Sequence, residues 1–223
     1  MSGESIADRI SIVRERIEAA CARAGRSPDS VTVIAVTKGF QVEAICEAIA
    51  AGIADIGENR VQEAALKRAA LTTQSGITWH MIGHLQTNKV KDALRLFDTI
   101  HSVDSIHLAE AISKRASTTV PVFLETNVAG EVSKGGFPLE QLPQTLETIR
   151  QMPNLDIRGL MTVAPLAATP QSVRPIFSRL RAEGDQLGLR DLSMGMTGDF
   201  EVAIEEGATH VRIGRAIFGE RRI

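Results

Sequence analysis

Eight short apolar segments, each followed by a helix-like stretch, constrain the fold of this chain more than any other feature. The first, VTVIAVT at residues 31–37, is rich in β-branched side chains, which is typical of a strand buried on both faces of a parallel sheet. The other seven segments lie at 53–57, 77–82, 97–102, 119–127, 156–161, 191–195 and 209–214. The connections are short, and no linker or low-complexity stretch divides the chain.

This alternation predicts an α/β fold built from parallel βα units. Eight such units fit a closed (β/α)8 barrel of the TIM type. A doubly wound open sheet is the alternative, but the first strand-to-helix turn, TKGFQVE, lacks the glycine-rich dinucleotide fingerprint. We therefore predict a single barrel domain over residues 1–223, with an extra N-terminal helix at about residues 5–25.

Composition excludes several classes of function. The 25 basic and 27 acidic residues give a net charge of −2, so nothing indicates a nucleic-acid partner. Cys21 and Cys46 lack metal-ligand spacing, which favours a reducing compartment. The N-terminus has the pattern of a charged amphipathic helix rather than of a signal peptide, and no apolar run approaches the length of a membrane span. We predict a soluble, cytoplasmic protein with no membrane partner.

Lys38 stands at the carboxyl end of the first predicted strand. A buried ammonium is costly unless it is paired or neutral, so one reading is that Lys38 has left the core and extends into solvent. The other reading is functional, because barrels gather their chemistry at the carboxyl ends of their strands. Position alone does not choose between the two readings.

The last two strand ends carry glycine turns. MGMTGD, at 194–199, offers small residues and the hydroxyl of Thr197 before a helix, and RIGRAIFG, at 212–219, repeats the arrangement with Gly214. Barrels often bind phosphate in the loops after their seventh and eighth strands, and backbone N–H groups at helix starts bind anions. The alternative is that Thr197 merely caps its own helix.

A lysine that faces a phosphate site across the barrel mouth suggests pyridoxal 5′-phosphate (PLP). That cofactor is held by its phosphate and by an imine to a lysine, and burial favours the neutral amine that forms the imine. Arg212, at the end of the eighth strand, could then meet the pyridine ring. A barrel enzyme that uses Lys38 for an imine with a sugar phosphate is a further alternative.

Several motifs together make the pattern specific. AVTKGF, IGENRVQEA, WHMIGHLQTNK, SVDS, SKGGF, GLMTVAP and LSMGMTGDFEVAIEEGATHVRIGRAIFG resemble the pyridoxal phosphate homeostasis protein family, also called YggS/PROSC. The resemblance runs from about residue 35 to the end of the sequence. It implies the barrel of bacterial alanine racemase without that enzyme's second, β-rich domain.

The resemblance also implies which residues hold PLP. Lys38 would form the Schiff base, and Arg212 would lie near the pyridine nitrogen. Thr197, Gly214 and the backbone of Arg215 would bind the phosphate.

Three further residues enter only through the resemblance. Asn59 and Met161 would line the pocket, and Lys134 would offer a secondary lysine for the cofactor. The chain departs from the family at two positions. Thr197 stands where serine is common and keeps the hydroxyl, whereas Arg215 replaces a usual threonine and leaves only the backbone contact.

The predicted role is that of a cofactor carrier rather than of a catalyst. An arginine at the pyridine nitrogen disfavours ring protonation and so weakens the electron sink. The related racemases take their second base as a tyrosine from another domain, and this chain contains no tyrosine. His80, His84 or Lys134 could replace it, so a PLP-dependent amino-acid racemase remains the alternative.

We therefore predict a monomer that buffers or delivers PLP in vitamin B6 and amino-acid homeostasis, with PLP-requiring apoenzymes as candidate partners. We predict no metal site. His80 and His84 lie four residues apart, but Gly83 interrupts them and neither a carboxylate nor a cysteine joins them at a useful spacing.

Overall fold

Eight parallel strands close into a barrel in a computed structural model that describes residues 4–72, 74–131, 135–165 and 169–220. With the short β6, which lies outside the closed barrel, the described residues form nine strands: β1 Thr32–Val36, β2 Asp55–Glu58, β3 Thr78–Met81, β4 Thr99–Val103, β5 Val120–Asn127, β6 Phe137–Pro138, β7 Leu155–Met161, β8 Asp191–Met196 and β9 His210–Ile213. Each of the eight predicted segments overlaps one barrel strand, with differences of a residue or two at the ends, and the predicted barrel is confirmed.

The order around the barrel follows the chain. Each barrel strand pairs with the next, β5 pairs with β7, and β9 returns to pair with β1. The short strand β6 adds to the carboxyl end of β5 through Thr126 and Asn127 and takes no part in closure. The sequence pattern missed β6, because two residues are too few to show any periodicity.

The α-helices surround the sheet. They are α1 Ile6–Arg23, α2 Val42–Ala50, α3 Val61–Ala70, α4 Val90–Leu96, α5 Ile106–Arg115, α6 Leu142–Arg150, α7 Pro170–Leu187, α8 Phe200–Glu205 and α9 Arg215–Phe218. The predicted N-terminal helix is α1, which begins at a capping box between Ser5 and Asp8 and packs against α2, α8 and α9. No helix in these described ranges is both long and apolar enough to cross a bilayer.

The protein has two buried regions that differ in chemistry, one between the sheet and the helices and one inside the ring of strands. The layer between strands and helices is apolar, as in α2, where Ile45 and Ala48 are buried on one face. The space enclosed by the strands is largely polar, and His101 lies there stacked on Phe123 with ring centroids 4.2 Å apart. Polar side chains enclosed in this way need hydrogen-bond partners, and those partners connect to the candidate site.

Candidate functional site

The closure of the barrel decides which strand ends meet. Because β9 pairs with both β1 and β8, the residues that follow these three strands share one part of the mouth. Lys38 therefore lies beside the turn at Gly214, since Val36 O is 3.4 Å from where a Cβ on Gly214 would stand. The expectation that the lysine faces the glycine turns across the mouth is wrong in this respect, because closure makes the first and last strands neighbours.

Lys38 follows directly on the first strand ladder. The Thr37 N–H donates to Gly57 O over 3.1 Å, which continues the pairing of β1 with β2. Thr37 is fully buried, and its hydroxyl donates to the Glu58 carboxylate outside the barrel. The alternation of strand side chains places Lys38 on the opposite side, toward the barrel axis with Val36. Lys38 itself is half-buried.

A buried ionic cluster lies beneath Lys38. Lys67 Nζ donates to Thr37 O and Glu58 Oε1, both over 2.6 Å, and to Glu63 Oε1 over 2.7 Å. The Gly39 N–H donates to the same Glu63 oxygen over 2.5 Å. The cluster therefore contacts the residues on both sides of Lys38.

The two carboxylates of this cluster respond differently to burial. Burial raises the pKa of Glu58, although the hydrogen bonds from Lys67 and Thr37 work against it. Burial also tends to raise the pKa of Glu63, but the hydrogen bonds from Lys67 and Gly39 outweigh it and the pKa is lowered. Glu58 Oε2 is buried with no hydrogen-bond partner among the described residues.

Arg212, at the carboxyl end of β9, is only 4% exposed. Its Nη1 donates to Ser193 Oγ and its Nη2 to Thr162 O, each over 2.7 Å. Burial lowers the pKa of Arg212 to about 10, while the charges of Glu125 and Asp199 act to raise it. Within the described residues no carboxylate lies within 4.0 Å of this guanidinium, so it is a buried cation held by neutral acceptors.

A chain of polar side chains continues from Arg212 through the barrel. Ser193 Oγ lies 2.9 Å from His101 Nδ1, and His101 Nε2 lies 3.0 Å from His80 Nδ1. His80 Nε2 lies 2.9 Å from Asp55 Oδ1 at the amino end of the barrel. Burial lowers the pKa of His101 well below its usual range, so this histidine is neutral at pH 7.

The two glycine turns are joined to each other. The Ala216 N–H, in α9, donates to Thr197 Oγ1 over 3.4 Å, whereas the N-cap of α8 is Asp199. Thr197 therefore does not cap its own helix. Gly195 has φ +90°, and a Cβ there would stand 2.5 Å from that of Ala203, so only glycine fits.

The remaining predicted residues lie around the same mouth. Met161 is buried and is in register with Ser193 on the neighbouring strand. Asn59 directly follows β2, and its Oδ1 is buried without a hydrogen-bond partner among the residues described. The backbone of Arg215 belongs to the turn after β9, whereas its side chain is exposed and lies 3.6 Å from Glu220. Lys134 lies outside the described residues.

These residues fit a ligand that carries an aldehyde, a ring nitrogen and a phosphate. Lys38 supplies a primary amine, and Arg212 supplies N–H donors that form no ion pair within 4.0 Å with any carboxylate of the described residues. A Cβ on Gly214 would stand in contact with Val36, at 3.4 Å from Val36 O, whereas a Cβ on Gly198, in the other turn, would meet no atom within 4 Å among the described residues. The unpartnered Asn59 Oδ1 is a further polar contact that a ligand could satisfy.

Comparison with known proteins identifies the family. The model of the alanine racemase N-terminal domain matches residues 10–222. A pyridoxal phosphate homeostasis protein of Aquifex aeolicus is 45% identical, over 96% of this chain and 98% of that protein. The chain belongs to the pyridoxal phosphate homeostasis protein family.

Solved structures agree with the fold of this family member. PipY of Synechococcus elongatus, solved with PLP bound, is 37% identical and superposes with a TM-score of 0.85, over 96% of this chain and all of that one. An alanine racemase of Clostridium difficile has a TM-score of 0.73 at 13% identity, over 96% of this chain and 57% of the racemase. This second likeness concerns the fold alone.

Sequence reasoning missed the groups that support Arg212 in this family member. Ser193 and His101 are polar residues inside apolar strand segments, and that break in the pattern was the available signal. Glu125, on β5, was missed as well. Burial raises the pKa of Glu125, and the charge of Asp104 adds to the effect.

The two histidines considered for a metal have separate partners in this family member. His80 is buried inside the barrel with Asp55, whereas His84 is exposed and its Nδ1 lies 2.9 Å from Asp104 Oδ2. Across the described ranges, no group of three or more histidine, cysteine, aspartate or glutamate side chains could hold a metal ion.

Proposed function

We propose that this chain binds PLP reversibly, as a Schiff base on Lys38, and serves as a carrier that buffers the cofactor in vitamin B6 and amino-acid homeostasis. The observation that supports this most is the position of Lys38 beside the glycine turn of Gly214, with the buried cation Arg212 on the neighbouring strand. The names of the relatives and the PLP bound in the structure of PipY agree with it.

Each predicted contact has support in the geometry. The hydroxyl of Thr197 and the backbone at Gly214 and Arg215 belong to two joined turns, which would bind the phosphate. Arg212, held by Ser193, would meet the pyridine nitrogen.

Two other residues would complete the pocket. Asn59 offers an unpartnered amide oxygen, and Met161 offers an apolar surface on the strand next to Ser193. Both lie at the carboxyl ends of their strands, where barrel sites form.

The charge at Arg212 supports a carrier role without substantial turnover. PLP, when bound, supplies an electron sink whose strength depends on a protonated ring nitrogen. A guanidinium with a pKa of about 10 is itself protonated at neutral pH and can only donate hydrogen bonds. The chain also lacks the tyrosine that the family resemblance associates with racemisation.

We further propose that the protein acts as a monomer and transfers PLP to apoenzymes that require it. A carrier must release its cofactor, and a single amine on a half-buried lysine at a barrel mouth is suited to reversible attachment. Purified protein loaded with PLP should reconstitute the activity of a PLP-dependent apoenzyme, and the monomer should elute at the mass of one chain.

Borohydride reduction tests the attachment directly. In freshly loaded protein, peptide mapping should place the pyridoxyl group on Lys38, and Lys38→Ala should abolish that adduct. An adduct found only on Lys134 would contradict the assignment.

Incubation with L- and D-amino acids in deuterated water tests the carrier role. Exchange of the α-proton at about 1 per second or faster, lost in Lys38→Ala, would favour the racemase instead.

A further inference from the structure

The segment GENRVQEA at 57–64 is only partly explained by cofactor binding. Asn59 belongs to the proposed pocket, but Glu58 and Glu63 do not. The next turn of α3 carries Lys67 on its buried face, where a helix of this kind normally places an apolar residue. A lysine with a side chain only 7% exposed needs a reason to be there.

Lys67 and Glu63 form hydrogen bonds with the backbone on both sides of Lys38. Lys67 Nζ donates to Thr37 O, which belongs to the peptide group between residues 37 and 38. Glu63 Oε1 accepts from the Gly39 N–H, which belongs to the peptide group between residues 38 and 39. The two peptide groups that flank Lys38 are thus both fixed by the side chains of α3.

The local backbone needs such support. Gly39 has φ +78°, a conformation that glycine adopts without strain but that also gives the unrestrained chain more freedom. Hydrogen bonds from or to ionised groups are stronger than neutral ones and so restrict this turn more tightly. Replacing a whole buried ion pair by well-packed apolar residues often costs no stability, so the presence of this cluster favours a role in defining one conformation.

We propose that Lys67, Glu63 and Glu58 are positioning residues that hold the backbone of Lys38 so that its amine enters the barrel mouth. Glu58 secures the arrangement, because it accepts from both Lys67 and the Thr37 hydroxyl. The inference rests on the proposed function, in which Lys38 carries PLP.

Glu63 is the residue to change, because its side chain is 27% exposed and its loss leaves the Glu58–Lys67 pair intact. Glu63→Ala removes the acceptor for Gly39. Glu63→Gln keeps an oxygen at the position that accepts from both Gly39 and Lys67. Glu110→Ala is the matched control, since Glu110 forms the same kind of pair with Lys114, at 3.1 Å on the surface of α5.

Two ligands separate positioning of the amine from general damage to the site. PLP can form an imine, whereas pyridoxine 5′-phosphate has the same ring and phosphate but no aldehyde. Glu63→Ala should weaken PLP binding by about tenfold and pyridoxine 5′-phosphate binding by less than about twofold. Glu63→Gln should recover most of the PLP affinity, and Glu110→Ala should change neither ligand.

Hydrogen exchange in the cofactor-free protein gives an independent readout. The Gly39 amide should exchange about tenfold faster in Glu63→Ala than in the wild type, and close to the wild-type rate in Glu63→Gln. Equal losses of affinity for both ligands, or unchanged Gly39 exchange, would overturn the positioning role.

Lys38→Ala distinguishes failure of this inference from failure of the proposed function. If that variant no longer prefers PLP over pyridoxine 5′-phosphate, the Schiff base on Lys38 stands whatever Glu63 does. If it keeps the full preference, the proposed attachment fails, and the positioning role fails with it.

Discussion

The buried polar network next to Lys38 is ionic, whereas the one next to Arg212 is built from neutral partners. The first lies between the sheet and α3, where the ammonium of Lys67 meets two carboxylates. The second lies inside the barrel, where the guanidinium of Arg212 meets a hydroxyl and a backbone carbonyl. Both cations are at least nine-tenths buried, so burial alone does not distinguish them.

The hydrogen-bond partners of the two buried cations indicate different roles for Lys67 and Arg212. The three acceptors of Lys67, one carbonyl and two carboxylates, match the three N–H donors of an ammonium, and its charge is compensated. Arg212 has five N–H donors, and two hydrogen bonds within the described residues use only some of them. Lys67 is therefore committed to structure, and Arg212 keeps capacity for a ligand.

Breaking the ionic network should have the largest effect on stability. Lys67→Met removes the ammonium and leaves Glu58, which is fully buried, as an uncompensated charge. We expect the free energy of unfolding of the cofactor-free protein to fall by about 3–5 kcal/mol in urea titrations at pH 7.5.

Lys114→Met is the matched control for this loss. Lys114 also pairs with a glutamate one turn away, but its side chain is 72% exposed, so we expect a change within about 0.5 kcal/mol. If Lys67→Met were as stable as Lys114→Met, the ion pair between Lys67 and Glu58 would not stabilise the folded protein.

Lowering the pH should destabilise the neutral interior of the barrel through His210, which lies against Phe123 there. Burial lowers the pKa of His210 to about 4, and the charges of His80, Arg212 and Arg158 add to the effect while Asp55 opposes it. Between the unfolded value of about 6.5 and a folded value of about 4, the unfolded chain binds more protons. The contribution of this residue to stability is therefore lost as the pH falls, by about 3 kcal/mol at pH 4.

Urea titrations of wild type and His210→Gln between pH 7.5 and 4 measure this contribution. Both proteins carry the same acidic groups, so the difference between them reports on His210. The wild type should therefore lose more of its free energy of unfolding than the variant over this range. Glu58 acts in the opposite direction, since its raised pKa means that the folded state takes up its proton first. If the free energy of unfolding changed with pH equally in the two proteins, His210 would not be held neutral in the folded barrel.

The sequence predicts the barrel well and these networks poorly. Eight apolar segments with short connections are enough to indicate eight strands, because each strand contributes its own local pattern. Lys67 gives no such signal, since its partner Thr37 follows β1, its partner Glu58 ends β2, and both meet it only after folding. The closure of β9 against β1, which puts Gly214 beside Lys38, is likewise a property of the whole barrel.

The contacts proposed for Asn59 and Met161 illustrate the same limit at the site. Their sequence surroundings, GENR and GLMT, do not indicate a ligand by periodicity or spacing, and only the resemblance to a family singled them out. The structure adds a physical reason for Asn59 in its unpartnered Oδ1.

Breaking the neutral network at Ser193 should have the smallest effect on stability and a selective effect on the ligand. Ser193→Ala removes the acceptor of Arg212 Nη1 and the partner of His101 Nδ1, and we expect a loss of about 1–2 kcal/mol in the free energy of unfolding. Ser113→Ala is the control, since that buried hydroxyl donates to Pro153 O over 2.7 Å, far from the mouth. Only Ser193→Ala should also weaken PLP, by several-fold in a spectroscopic titration, because Arg212 loses one of the two contacts that orient it. If Ser193→Ala were as destabilising as Lys67→Met, the network inside the barrel would depend on charge after all. If PLP binding were unchanged, Arg212 would be oriented without Ser193.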